Sequence, residues 1–264
     1  MKTFGQVKNL VCASLIAFGI AAPAVADPII YMTGTGNPWN ISAINQGSNE
    51  TAMNTAFGSG NWSKVQGFSM AAFAADTTFL YLDGSDSQAN QFSSFISGNL
   101  AGLTSYLSKG GTLILNAAPN QGASFSMGFG ATLNYDGGAS GAGNVSATSA
   151  GIASGIFAGL GTNYTGGSFT HAYITGGADY ISLLNDDANR SAFGVQKVGA
   201  GMVGFGGMTL PYFHGPAADS RQLLANMMGY VAAQAQVSAV PEPGSMLLIG
   251  LGLAGAAFAR RRKV

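Results

Sequence analysis

The chain has 264 residues, 11 basic and 11 acidic, so its formal net charge is zero and only 8% of its residues are charged, against roughly 25% in an average soluble domain. So few charges exclude a nucleic-acid binder, which needs a basic patch to displace counterions from phosphates, and a hydrophobic content of 47% excludes charge-driven disorder. A single cysteine, Cys12, excludes an intrachain disulfide.

At the N-terminus, Lys2 and Lys8 flank the start of an apolar run over 10–20, and Ala24-Val25-Ala26 follows as a small-x-small site. This order predicts a secretory signal peptide over 1–26, cut by signal peptidase between Ala26 and Asp27. Val11 precedes Cys12, where lipid attachment would want a small residue, so the mature chain is expected to lack cysteine.

The exported body, 27–239, keeps Lys64, Lys109, Arg190, Lys197 and Arg221 against ten carboxylates, about −5 net. Its first predicted element is a strand at 28–32. A helix follows at 48–57, with Ser48 or Asn49 as cap and Glu50 in its first turn. The apolar run 79–82, closed by Asp83-Gly84, suits a strand buried on both faces. Apolar residues at helical spacing predict a helix over 88–107, stopped by Gly110-Gly111. A second buried strand, 112–116, completes a βαβ unit. Residues 122–168 are dense in Gly, Ala and Ser and predict either a long flexible insertion or a set of short strands. A strand at 180–184, two strands or a hairpin around Gly199 (192–198 and 201–205) and a closing helix over 219–235 end the body.

The order of 79–83, 91–111, 112–117, 198–203 and the terminal helix resembles class I glutamine-amidotransferase-like domains, ThuA-like relatives included. The resemblance implies an α/β fold: a flavodoxin-like three-layer sandwich with a mostly parallel sheet, plus the Gly/Ala/Ser-rich insertion. Catalytic members place a Cys on the turn after the strand matched here by 112–117. Ala117-Ala118-Pro119-Asn120 stands there, with no nucleophile. Their His-Glu pair is matched by His214-Gly215-Pro216, with Pro where the carboxylate belongs. The expectation is a non-catalytic relative, without catalytic residues, cofactor or metal.

Other chemistries have weaker support. No G-x-S-x-G elbow occurs. His171 or His214 could serve a secreted hydrolase if a Ser and an Asp stood nearby. Asp83-Gly84-Ser85-Asp86 and Asp186-Asp187 offer oxygens but lack calcium-loop spacing. Thr33-Gly34-Thr35-Gly36-Asn37 lacks the third Gly and the Lys of phosphate loops. Trp39 and Trp62 are candidates for stacking on sugar rings.

The tail, 240–264, opens with Val240, Pro241, Glu242 and Pro243. An uncharged apolar run over 244–259 follows, then Arg260, Arg261, Arg262 and Lys263. The run is at the short limit for a membrane span, and the basic end belongs on the cytoplasmic side. This end resembles the PEP-CTERM sorting signal of Gram-negative bacteria. The resemblance implies an exosortase as partner, transient anchoring in the inner membrane, and release to the cell surface or the extracellular polysaccharide matrix. The body is then expected to act as a binding or scaffold protein, with polysaccharide as a candidate ligand. A secreted hydrolase and a structural adhesive or surface-layer component are the alternatives.

Overall fold

The computed structural model describes residues 29–36, 39, 48–74, 76–120, 124–136, 144–166 and 169–235. Ala24, Ala26 and Asp27 lie outside the described residues, as do Val240 to Pro243, the apolar run after them and Arg260 to Lys263. Among the described residues no helix is long and apolar enough to cross a membrane.

Along the chain come β1 (Ile29–Thr33), α1 (Asn49–Phe57), β2 (Ser63–Gln66), β3 (Phe79–Asp83), α2 (Ala89–Ser108) and β4 (Thr112–Asn116). The Gly-rich stretch contributes β5 (Phe125–Gly128), β6 (Ala131–Tyr135), β7 (Asn144–Ala147), α3 (Ser149–Ser154) and β8 (Asn163–Thr165). Then follow β9 (Ala172–Thr175), β10 (Ile181–Asp186), β11 (Ser191–Val198), β12 (Gly201–Gly206) and α4 (Ala217–Ala232).

These strands form one mixed sheet. β2-β1-β3-β4-β12 pair in parallel. From β12 the sheet continues through β11, β10, β7 and β8 with every neighbour antiparallel. β5-β6-β9 branch from the end of β11, where Ser191 opposes Ile174. The mostly parallel sandwich expected from the sequence is therefore corrected to a mixed α/β fold with a curled mixed sheet. The cause is connection length. A parallel neighbour needs a crossover of a dozen residues or more, whereas a two-residue turn gives only an antiparallel one. Phe129-Gly130 joins β5 to β6 with both residues at positive φ, and Gly199-Ala200 joins β11 to β12 with Gly199 at φ 60°, the twist that two-residue hairpins require.

The parallel half owes its burial to alternation. Tyr31, Phe79, Tyr81 and Ile114 point to the face covered by α1 and α4. Ile30, Met32, Leu80, Leu82, Leu113 and Leu115 point to the face covered by α2. Strands sandwiched this way must be apolar on both sides, which is why they read as continuous runs. α2 buries Phe92, Phe95, Ile96, Leu103 and Leu107 and exposes Ser94, Ser97, Ser105 and Ser108. The branch then folds over the same helix, with Phe125 edge-on to Phe92 at 6.1 Å. Met127, Ala131 and Leu133 join that core, and this wrapping curls the sheet.

Candidate functional site

In sheets of this kind, ligands bind beyond the carboxyl ends of the parallel strands. Here the ends of β1, β3, β4 and β12 bring Thr33, Asp83, Asn116 and Gly206 level with one another. The residues just beyond them form the candidate site.

Asp83 ends β3 fully buried. Its Oδ1 accepts from the Ser85 hydroxyl at 2.5 Å, the Ser85 amide at 3.1 Å and Asn116 Nδ2 at 3.4 Å. Its Oδ2 accepts from Asn49 Nδ2 at 2.7 Å and Tyr31 OH at 3.5 Å. Burial raises its pKa from 3.8 to about 6, because these neutral donors only partly replace water. Ser85 Oγ also accepts the Ala118 amide. Asn116 grips β12's extension, donating to Met208 O and accepting from Met208 N. Gln88, just ahead of α2, accepts from Thr33 Oγ1 at 2.8 Å and the Gly34 amide at 2.9 Å, fixing the loop after β1.

The two histidines lie in this region but not in one constellation. His171 Nδ1 meets the Pro119 carbonyl at 3.0 Å. Burial holds its imidazole below 6.5, against the pull of the Pro119 carbonyl, Asp136 and Asp86. His214 is stacked on Phe169 at 3.7 Å, and its Nε2 meets Thr209 Oγ1 at 2.9 Å. Burial pushes it down to about 3. Among the described residues neither ring combines a hydroxyl and a carboxylate as hydrogen-bond partners. The enclosed space beside His214 holds about 10 Å³, room for one water at most.

Ala117 and Ala118 are fully buried where the resemblance places a nucleophile. Asp186 accepts the Ala188 and Arg190 amides and Arg190 Nε, closing a turn, and Asp187 accepts Asn144 Nδ2. Trp62 lies away from the site, its indole N–H donating to Asn54. Trp39 lies within it. Its amide donates to Asp86 Oδ2 at 3.2 Å, and both residues have positive φ, 60° and 55°. Left-handed backbone in non-glycine residues is uncommon and gathers at functional positions. The Trp39 ring stands edge-on to His171 at 4.9 Å and to Phe213 at 5.8 Å. Phe213 in turn meets Tyr212, a residue that is 43% exposed. The result is an aromatic strip, Trp39–Phe213–Tyr212, on the strand-end surface.

Sequence reasoning singled out Trp39, His171 and His214 but missed Asn116, Gln88 and Tyr212. A polar residue closing a wholly apolar strand was the available signal for Asn116. Tyr212 offered none, because its place depends on the turn after β12.

Residues 239–263 match the PEP-CTERM protein-sorting motif. No curated protein matches the chain. Among solved structures, a β-galactosidase from Bacillus circulans sp. alkalophilus is similar with a TM-score of 0.45 and 10% identity, over 79% of this chain and 31% of its own. An exo-β-1,4-mannosidase from Opitutaceae bacterium strain TAV5 gives 0.38 and 14%, over 78% of this chain and 34% of its own. A cytoplasmic protein from Salmonella typhimurium LT2 gives 0.47 and 10%, over 78% and 99%. The chain spans about a third of the length of these two glycosidases. The C-terminal motif marks the chain for export and exosortase sorting, with the cell surface as its destination.

Proposed function

We propose that the exported body is a non-catalytic binding module whose ligand is extracellular polysaccharide, held on the strip Trp39–Phe213–Tyr212. One observation carries the reading: the polar groups at the strand ends are hydrogen-bonded to one another. Asp83, Ser85, Asn116 and Gln88 hold neighbouring loops, and His214 is closed in with Thr209. A hydrolase would need a nucleophile and a base open to a substrate-sized pocket of several hundred Å³. The exposed Tyr212 ring, with the half-buried Trp39 and Phe213 beside it, suits the flat apolar faces of sugars, and a matrix destination would supply such ligands. The parallel half, ordered β2-β1-β3-β4-β12 with helices on both faces, supports an amidotransferase-like ancestry for the module, its doubly wound part keeping a flavodoxin-like strand order.

The test is retention of the purified protein on isolated exopolysaccharide. Trp39→Ala and Tyr212→Ala should each weaken retention about tenfold, as loss of an aromatic anchor does. Trp62→Phe should leave it unchanged. Hydrolysis of the polysaccharide by the wild type, lost in His171→Ala, would replace this reading with an enzymatic one.

A further inference from the structure

The pole opposite the strand-end site, where the strands begin, carries a groove of about 670 Å³. Its floor is Val195 and Met202, both buried. Tyr230 and Ile181 line it beside the backbone of Tyr180, whose ring packs on the other face of the sheet against Phe205, and Ile181 is 52% exposed, an unusual position for so apolar a side chain. Lys197 stands on the rim, exposed and without an ion pair among the described residues. Asp179, also exposed, is the other charge there.

α4 delivers the chain to this groove. Its start lies at the far pole, where Ser220 and Leu223 flank Thr209 and His214. Its last turn brings Tyr230 into the groove wall, and Gln234 follows just past the helix end. Val240-Pro241-Glu242-Pro243 begins five residues beyond Ala235, at most about 18 Å of extended chain. We propose that in the uncleaved protein this groove holds residues 237–243, with Pro241 and Pro243 against Tyr230 and Ile181 and Glu242 beside Lys197.

Three arguments select this occupant. Proline-rich segments are already extended, lose little entropy on docking and pack on aromatic side chains, here Tyr230. The short tether gives an effective concentration on the order of millimolar, so weak contacts suffice. The charges also match, since Glu242 is the sole charged residue between Ala235 and Arg260 and Lys197 has no ion pair among the described residues. The proposal rests on the sorting reading for its purpose: exosortase would act on the fraction of chains whose motif has left the groove.

The experiment uses the full chain in detergent micelles with a water-soluble carbodiimide, which condenses a carboxylate with an amine at contact distance. Peptide mapping should find Glu242 joined to Lys197 within one chain. That product should exceed the Glu242–Lys109 product by about tenfold, the ratio that ~1.4 kcal/mol of docking gives. Lys109, exposed at the end of α2, is the control for the same pole. Ile181→Glu, a surface change that leaves the fold intact by circular dichroism, should lower the Lys197 product about tenfold. Equal yields at Lys197 and Lys109, or no effect of Ile181→Glu, would overturn the proposal. A Glu242–Lys197 product between two chains would overturn it in favour of a second copy. The mass of protein recovered from cells reads tail removal separately, so an uncut tail would sink the sorting reading without touching the docking one.

Discussion

Asp83 and His214 are buried in the same region and respond to acid in opposite directions. Asp83 has a folded pKa of about 6 against 3.8, so the folded state binds its proton first. Its contribution to stability therefore rises as pH falls from 6 to 4. His214 has a folded pKa of about 3 against 6.5, so the unfolded state binds its proton first. Its contribution is complete above 6.5 and is lost progressively down to 3. Between pH 6 and 4 the two slopes offset each other, and below 4 only the histidine's remains. Denaturant midpoints measured across pH 4–7 check this. His214→Asn should become more stable on acidification from 6 to 4, and Asp83→Asn should become less stable. Parallel slopes in the two variants would refute the assignment. At this scale the sequence was legible where a residue's neighbours are local. Asp83-Gly84 was readable as a strand-end turn, and Ser85 N bonds Asp83 Oδ1 two residues back. The pairing of Trp39 with Asp86 and of Asn116 with Met208 was not, because each joins segments distant in the chain.

Elements buried on both faces were the readable ones. β3, α2 and β4 stand where their apolar patterns put them, and β3 pairs with β4 in parallel as a βαβ unit requires. β2, with the sequence SKVQ, and β9, with AYIT, carry too little pattern to be seen. They are strands because β1 and β6 offer them edges. The fit of α2 onto β3 is tight enough to test. A methyl group at Gly84 would stand 2.3 Å from Phe92 Cγ, far inside contact distance, and Phe92 is fully buried. Gly84→Ala should therefore cost about 1–3 kcal/mol, as overpacking does, despite the modest gain from stiffening the unfolded chain. Phe92→Leu alone should also destabilise by leaving a void. Combined, the two should cost about their sum, because leucine keeps the Cβ and Cγ atoms that stand 2.4 and 2.3 Å from the methyl position. A double variant that costs at least ~1 kcal/mol less than the sum by urea denaturation would show that the ring, not the start of the side chain, makes the clash.

At the scale of the molecule, the proposed ligand strip and the exit of the chain from α4 lie at opposite poles of the sheet. The first described strand begins at Ile29, level with Phe79 and Thr112, and α4 returns the chain to that same pole beside Met202. The sorting tail therefore leaves from the strand-start pole. The strip Trp39–Phe213–Tyr212 lies at the strand-end pole, and neither the tail nor the groove beside it shares a residue with that strip. This separation was not legible in the sequence, because it depends on α4 running antiparallel to β12 along the α1 face. On the proposed reading it has a consequence for a precursor anchored by its apolar tail. A body tethered by a short linker at one pole would present the other pole away from the bilayer, so the proposed ligand face would be free before the tail is cut. Retention on exopolysaccharide should thus be equal, within about twofold, for full-length protein reconstituted in vesicles and for protein released without its tail. Twofold corresponds to ~0.4 kcal/mol, less than the loss of a single aromatic anchor. Binding that appears only after release would place the ligand face against the membrane and overturn the assignment of the poles.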